Sequence, residues 1–432
     1  MSRHYLFAMW EGGGNVVPML GVAKRVIARG HTVTVLGDPT IHLEAEHVGC
    51  RFIAWRRAPH RTTLRPEDDL MRDWETRNPF VMLRRYRDRF ITAPAPLYAA
   101  DTLDAIDAIQ PDVLVPEYTL FGAIMAAERR GLPVAAIVPN IWPLPAQGAP
   151  PFGPGFLPAQ GMLGRMRDAF FTRLVLSIFD GALPALNATR RELGLAPIAT
   201  FFDQARQSAM FLVLSSAAFD FASPFVPKSV HYVGPVLDDP QWAEPWSPPW
   251  PAENRDPLVL VGFSTTFQDQ GPALLRVLNA LSGLRVRALV TLGEMLPDGV
   301  LQSNDKVVVV RSAPHREVLA HAALAITHCG HGTTMKALAA GVPMVCMPMG
   351  RDQDDTAARV VHAGAGVRLK RTANAQTIAR AVTQVLEDDR FRASARRLGD
   401  AMANEMESVD VAALLEEVGP RTTGARPARR TA

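Results

Sequence analysis

Residues 325–366 read AITHCGHGTTMKALAAGVPMVCMPMGRDQDDTAARVVHAGAG. The run Leu324-Ala325-Ile326 that leads in is short and apolar, which suits a buried parallel strand. It breaks at His328-Cys329-Gly330-His331-Gly332-Thr333-Thr334, and from Met335 to Ala340 the pattern is helical. A glycine-rich turn between a buried strand and a helix leaves backbone N–H groups unpaired and facing one point. The positive end of the helix dipole stands behind them, so the turn is an anion site. Two histidines and two threonine hydroxyls add donors suited to a diphosphate. A second unit follows: a strand over Pro343–Pro348, then Gly350-Arg351-Asp352-Gln353 opening another helix. Its carboxylate and amide offer the acceptors and donors in fixed pairs that sugar hydroxyls need. The stretch reads as a nucleotide site at His328, Gly330, Gly332 and Thr333, with a sugar site at Asp352 and Gln353.

At these residues the chain resembles glycosyltransferase family 1, in particular the actinobacterial natural-product enzymes. The resemblance rests on His328/Gly330/Gly332/Thr333, Gly341-Val342-Pro343 and Asp352-Gln353, in the family's order and spacing. It implies the GT-B fold: α/β, with two Rossmann-like doubly wound domains facing a central cleft.

Working outward, Leu258–Phe263 is a continuous apolar run of the kind found in parallel strands covered on both faces. Ser264-Thr265-Thr266 follows it, and strands over Val286–Thr291 and Lys306–Val310 alternate with helices. Ser264 and Thr265 are expected at the diphosphate. The family resemblance implies a contact of His315, after Ala313-Pro314, with the nucleotide base. Upstream, Pro235–Asp256 is rich in proline and tryptophan and nearly without periodicity, as a linker is. The expected division is an acceptor-binding N-terminal domain over 1–234, a linker over 235–256 and a nucleotide-sugar domain over 257–406. The end of a C-terminal helix and a disordered tail occupy 407–432.

The N-terminal half opens with a strand over His4–Met9, then Glu11-Gly12-Gly13-Gly14-Asn15, a helix from Pro18 to Arg29, and a second strand ending at Asp38. Gly12, Gly14 and Asp38 form a partial dinucleotide fingerprint. Val17, however, stands where the third glycine belongs. The family resemblance reads the same turn differently. Gly14-Asn15-Val16-Val17-Pro18-Met19-Leu20 matches a motif whose second residue is usually a histidine, the general base that deprotonates the acceptor. Here that residue is Asn15, and a carboxamide takes no proton at working pH. The resemblance also implies that Glu117, closing the strand Pro111–Pro116, orients the catalytic group. Glu117 could itself be the base if its reference pKa near 4.3 were raised. Arg56–Arg89 mixes arginine, aromatic and acidic residues and is expected to form amphipathic helices bordering an acceptor cleft. The proline-rich, apolar segment Trp142–Gly164 is expected to be a lid. Phe80 in the first of these segments, and Trp142 and Phe152 in the second, are the candidate acceptor contacts.

The totals exclude several classes. A chain of 432 residues with 48% hydrophobic and 21% charged content and a formal charge of +3 is an ordinary globular protein, with no case for nucleic acid. Three cysteines are too few and too scattered for a disulfide framework or a zinc site. No run reaches a membrane span, and Tyr5–Met9 is too short for a signal core, so the expectation is a cytoplasmic protein. No cofactor or metal is expected: Asp352 and Asp354 point about 100° per residue apart around a helix and diverge. Oligomeric state is not legible.

The reaction expected is inverting, metal-independent sugar transfer from a nucleotide diphosphate sugar to an apolar small molecule. In uridine-diphosphate-using members a glutamate after the phosphate turn accepts from the ribose hydroxyls. Lys336 stands there and has no acceptor, which favours a dTDP-sugar over a UDP-sugar. A non-catalytic sugar-nucleotide-binding protein and a sugar-nucleotide epimerase are the alternatives.

Overall fold

The computed structural model describes residues 1–223, 225–239, 245–293 and 301–419. Its first half is a parallel sheet of β1 (His4–Ala8), β2 (Thr32–Gly37), β3 (Arg51–Ala54) and β4 (Val113–Pro116), in the order β3-β2-β1-β4. It continues through bridges at Leu114–Val134 and Glu117–Ile137 into β5 (Ala135–Val138), β6 (Met210–Val213) and β7 (Val230–Tyr232). Helices α1 (Val16–Ala28), α2 (His42–Val48), α3 (Pro79–Arg85), α4 (Ala95–Ile109), α5 (Phe121–Arg130), α6 (Gly161–Asp180) and α7 (Leu183–Glu192) connect the strands. Side chains alternate between the two faces. Leu6, Leu36, Leu114 and Val138 pack on one face, and Tyr5, Phe7, Val35, Val115 and Ile137 on the other. Two covered faces are what a parallel sheet requires.

The second half repeats the plan. β8 (Leu258–Gly262), β9 (Arg287–Thr291), β10 (Val307–Val310), β11 (Leu324–Thr327), β12 (Met344–Cys346) and β13 (Gly366–Arg368) form a parallel sheet in the order β10-β9-β8-β11-β12-β13. The helices here are α8 (Gly271–Ser282), α9 (His315–His321), α10 (His331–Ala339), α11 (Gln353–His362), α12 (Ala375–Glu387), α13 (Asp389–Ser408) and α14 (Val411–Glu417). Helix α14 leaves this half: Val411, Ala412, Leu415 and Val418 join the core on which α1 packs. The three cysteines are free and buried.

Two segments differ from expectation. Over 56–78 the only helical pieces are single 3₁₀ turns at Pro66–Asp68 and Asp73–Glu75. Prolines at 59, 66 and 79 interrupt any longer helix, and α3 starts where the Asn78 side chain accepts from the N–H groups of Phe80 and Val81. Tyr86–Thr92 then winds as a π-helix, a rare geometry often found at functional sites. The segment after Trp142 is irregular only to Gln160, because Gly161 begins α6. Among the described residues no single helix is long and apolar enough to cross a membrane. The bent pair α6 and α7, 43° apart, reaches that composition only jointly. The tail Arg421–Ala432, expected to be disordered, lies outside the described residues.

Candidate active site

The two sheets present the C-terminal ends of β1, β4, β8, β11 and β12 to one cleft, where a doubly wound sheet binds ligands. Only His328, Cys329 and Gly330 separate β11 from α10. Cys329 has φ 66°, a left-handed conformation uncommon outside glycine, and its N–H is fixed by Thr327 Oγ1 at 3.2 Å. No side chain caps α10, so its first N–H groups face the cleft unspent. A Cβ at Gly330 would lie 2.4 Å from His328 Nε2, so glycine there gives the imidazole its seat. That ring is buried and stacked on Phe263; burial pushes its pKa down to about 4. A neutral imidazole offers one N–H and no charge.

Other nucleotide candidates converge on this turn. Ser264 Oγ and Thr266 Oγ1 are 2.9 Å apart, while Thr265 is exposed and faces Gly13 across the cleft. His315 lies between Thr291 Oγ1 at 3.1 Å and Thr333 Oγ1 at 3.4 Å, and burial lowers its pKa to about 4. Lys336 pairs with Asp239 at 2.5 Å. Gly332 borders open space.

The sugar candidates are already partly engaged. Gln353 is buried; its Oε1 accepts from the N–H groups of Met349 and Gly350, and its Nε2 donates to Gln268 at 2.9 Å. Asp352 Oδ2 accepts from Asn140 Nδ2 at 2.9 Å, a hydrogen bond across the cleft. Asp354 turns instead to Arg368, so the two aspartates have separate partners.

On the opposite wall Asn15 is 8% exposed, and both ends of its amide serve its own turn. Oδ1 accepts from Gly12 N–H at 3.0 Å and Nδ2 donates to the Trp10 carbonyl at 2.8 Å. Asp38 Oδ2 also bonds locally, accepting from the N–H groups of Glu11 and Arg61 at 3.1 Å each. Glu117 is 3% exposed and accepts from Trp10 Nε1, from the Thr119 N–H and from the Thr119 hydroxyl. Burial outweighs those hydrogen bonds and pushes its pKa up to about 7. Its neighbours Tyr118 and Thr119 line an apolar cavity of about 1110 Å³, counting the space open to solvent. Tyr86, Trp142, Phe152 and Phe179 line the same cavity. Phe80 does not; it is 43% exposed on α3. One end of the cavity is polar, with the buried pair Arg359–Asp220 at 2.7 Å. Beside it Asp355 accepts from Gly153 and Gly155 N–H, with its pKa pushed by burial to about 7. Those two bonds tie the proline-rich segment to α11.

Sequence reasoning missed Tyr118 as a wall of this cavity, although it directly follows Glu117. It also missed Arg351, whose backbone is left-handed (φ 57°) and whose guanidinium crosses the cleft. Arg351 reaches Asp73 at 2.6 Å, Asp69 at 3.4 Å and the Gly12 carbonyl at 3.3 Å. The positive φ is legible only in coordinates.

Residues 275–418 match the family model described as erythromycin biosynthesis protein CIII-like, C-terminal domain. The chain is 31% identical over 422 residues, 96% of its length and 99% of the relative's, to 4'-demethylrebeccamycin synthase of Lentzea aerocolonigenes. It is 26% identical to demethyllactenocin mycarosyltransferase of Streptomyces fradiae, covering 91% of this chain and 82% of that one. Among solved structures, the calicheamicin glycosyltransferase CalG4 superposes with a TM-score of 0.74 at 21% identity, covering 98% of this chain and 100% of the other. The glycosyltransferase VinC in complex with DTDP gives 0.70 at 16% identity, with 96% and 100% covered. With an end-to-end relative at 31% identity and the same two-sheet architecture, the protein belongs to the natural-product glycosyltransferases of family 1 and is a GT-B glycosyltransferase.

Proposed function

We propose that the protein transfers a sugar, with inversion and without a metal, from a dTDP-sugar to an apolar aromatic acceptor seated in the Tyr86/Tyr118/Trp142/Phe152 cavity. The observation that carries this reading is the placement of two unlike sites on opposite walls of one cleft. Unspent N–H groups of α10 with His328 and Thr333 form one wall, and the aromatic cavity forms the other. The Asn140–Asp352 hydrogen bond marks where they meet. An acceptor on one side of the anomeric carbon and a leaving diphosphate on the other give a single in-line displacement, which inverts configuration. The α10 dipole with His328, Ser264 and Thr333 stabilises the leaving group. The preference for dTDP is supported by Lys336, held by Asp239 where a ribose acceptor would be needed, and by the DTDP bound to VinC.

Asn15 holds its turn and does not take the proton. Glu117, with a pKa near 7 and hydrogen-bonded to a cavity-lining residue, is the base or the group that orients the acceptor. The purified protein is tested with dTDP- and UDP-sugars and a panel of planar phenols and aromatic amines, with and without EDTA. The expected result is acceptor-dependent release of nucleoside diphosphate, faster from dTDP-sugars and unchanged by EDTA. Binding without turnover on any acceptor would make it an auxiliary protein, and conversion of the sugar nucleotide alone an epimerase.

A further inference from the structure

Between β3 and α3 the chain leaves the first half and lies against the second. Trp74 packs edge-on against Phe267, and Asp69 and Asp73 receive Arg351. Asp73 is the most committed of these residues. Its side chain is 7% exposed, and Oδ2 takes two donors from the other half: Arg351 Nε at 2.6 Å and Gln268 Nε2 at 3.0 Å. Its second oxygen, Oδ1, is buried and has no hydrogen-bond partner among the described residues. A carboxylate oxygen held that deep is costly unless something donates to it.

The surroundings define the donor. Gln268 bonds Gln353, and Arg351 immediately precedes Asp352. Arg351 is near enough to His328 that its charge helps to lower the imidazole pKa, and it also touches the carbonyl of Gly12. Asp73 Oδ1 therefore lies among the phosphate turn, the start of α11 and the Gly12–Asn15 turn. A diphosphate seated on α10, as proposed above, would carry its sugar toward Asp352 and its neighbours Arg351 and Asp73. Both ends of the Gln353 amide and one oxygen of Asp352 are already used, so Asp73 can supply an acceptor that Gln353 does not. Arg351 balances the Asp73 charge, and a paired carboxylate suits an uncharged hydroxyl.

We propose that Asp73, delivered across the cleft by the first half, is a specificity residue that accepts a hydrogen bond from one hydroxyl of the donor sugar. This rests on the phosphate-turn reading above. The test uses the full chain as wild type and as Asp73→Asn and Asp73→Ala. Each is measured for kcat/KM on a dTDP-hexose and its monodeoxy analogues, and for TDP affinity by calorimetry. One deoxy analogue is expected to lose about tenfold or more in the wild type. The Asn variant should lose a similar factor on the parent hexose and nothing further on that analogue, with TDP affinity within about twofold of wild type. An equal loss on every donor, with TDP binding intact, would reduce Asp73 to a tie between the halves and overturn the inference, as would no loss at all. Should wild type bind no TDP, the phosphate-turn reading fails first and takes this one with it.

Discussion

Glu117 is a carboxyl whose environment can be read directly from stability. Burial raises its pKa from 4.5 to about 7, so the stabilisation due to its proton is complete below about pH 4.5 and lost as the pH rises through about 7. Glu117→Gln carries no such term. Relative to that variant, the wild type should lose about 3 kcal/mol of unfolding free energy between pH 5 and pH 8. Urea midpoints at the two pH values measure it; a difference that stays constant with pH would mean Glu117 is ionised throughout. On activity, loss of most turnover in this variant assigns the base or acceptor clamp to Glu117, whereas near-full turnover means an acceptor that needs no deprotonation. Asn15 makes the complementary case. Replacing it by Ala removes two hydrogen bonds that close the Trp10–Asn15 turn, at a cost of about 1–3 kcal/mol. Asn15→His would provide a titratable nitrogen but could not span both partners, so any gain on phenols should come with a lower melting temperature.

The strand–turn–helix units are where sequence and physics agree most closely. Gly330 permits a test that leaves every functional group in place. Its φ of −59° suits alanine, yet a Cβ would collide with the His328 ring. Gly330→Ala should therefore weaken nucleoside diphosphate binding about tenfold, as His328→Ala should through the loss of about 1.5–3 kcal/mol of hydrogen bonding. Calorimetry with TDP decides it, and a Gly330→Ala affinity equal to wild type would mean the ring does not contact the diphosphate. The unit was legible because a buried apolar run, a glycine turn and a helical repeat are each local signals. The loop over 56–78 was not. Its arginines and aromatics have helical composition, but its conformation is set by prolines and by partners more than 190 residues away, such as Asp73 with Gln268. At the cleft, Gln353 shows the limit of spacing. Spacing places an amide at a helix start, and only the fold reveals that its two ends are already bonded.

For the whole molecule, α14 decides how the halves are joined. Arg29 meets Asp410 and Glu416 on partly exposed side chains, and the buried His31 also meets Glu416. Leu415 is fully buried beneath them. Exposed pairs contribute little, so Arg29→Ala should shift unfolding by under about 1 kcal/mol. Leu415→Ala should cost about 2–5 kcal/mol. Equal effects in thermal melts would show that charge, not apolar burial, seats the helix.

The return of α14 to the first sheet has a practical consequence. The chain passes between the halves twice, once after β7 and once after α13, so the first body draws its core from both ends of the described chain. A chimera cut only once, between residues 235 and 256, would graft a foreign last helix onto the Val26–Leu415 seam and leave that surface mismatched. The transplantable unit is the first body together with its own final helix. Moving the first body intact onto another second half therefore calls for two splice points, the second near Val409.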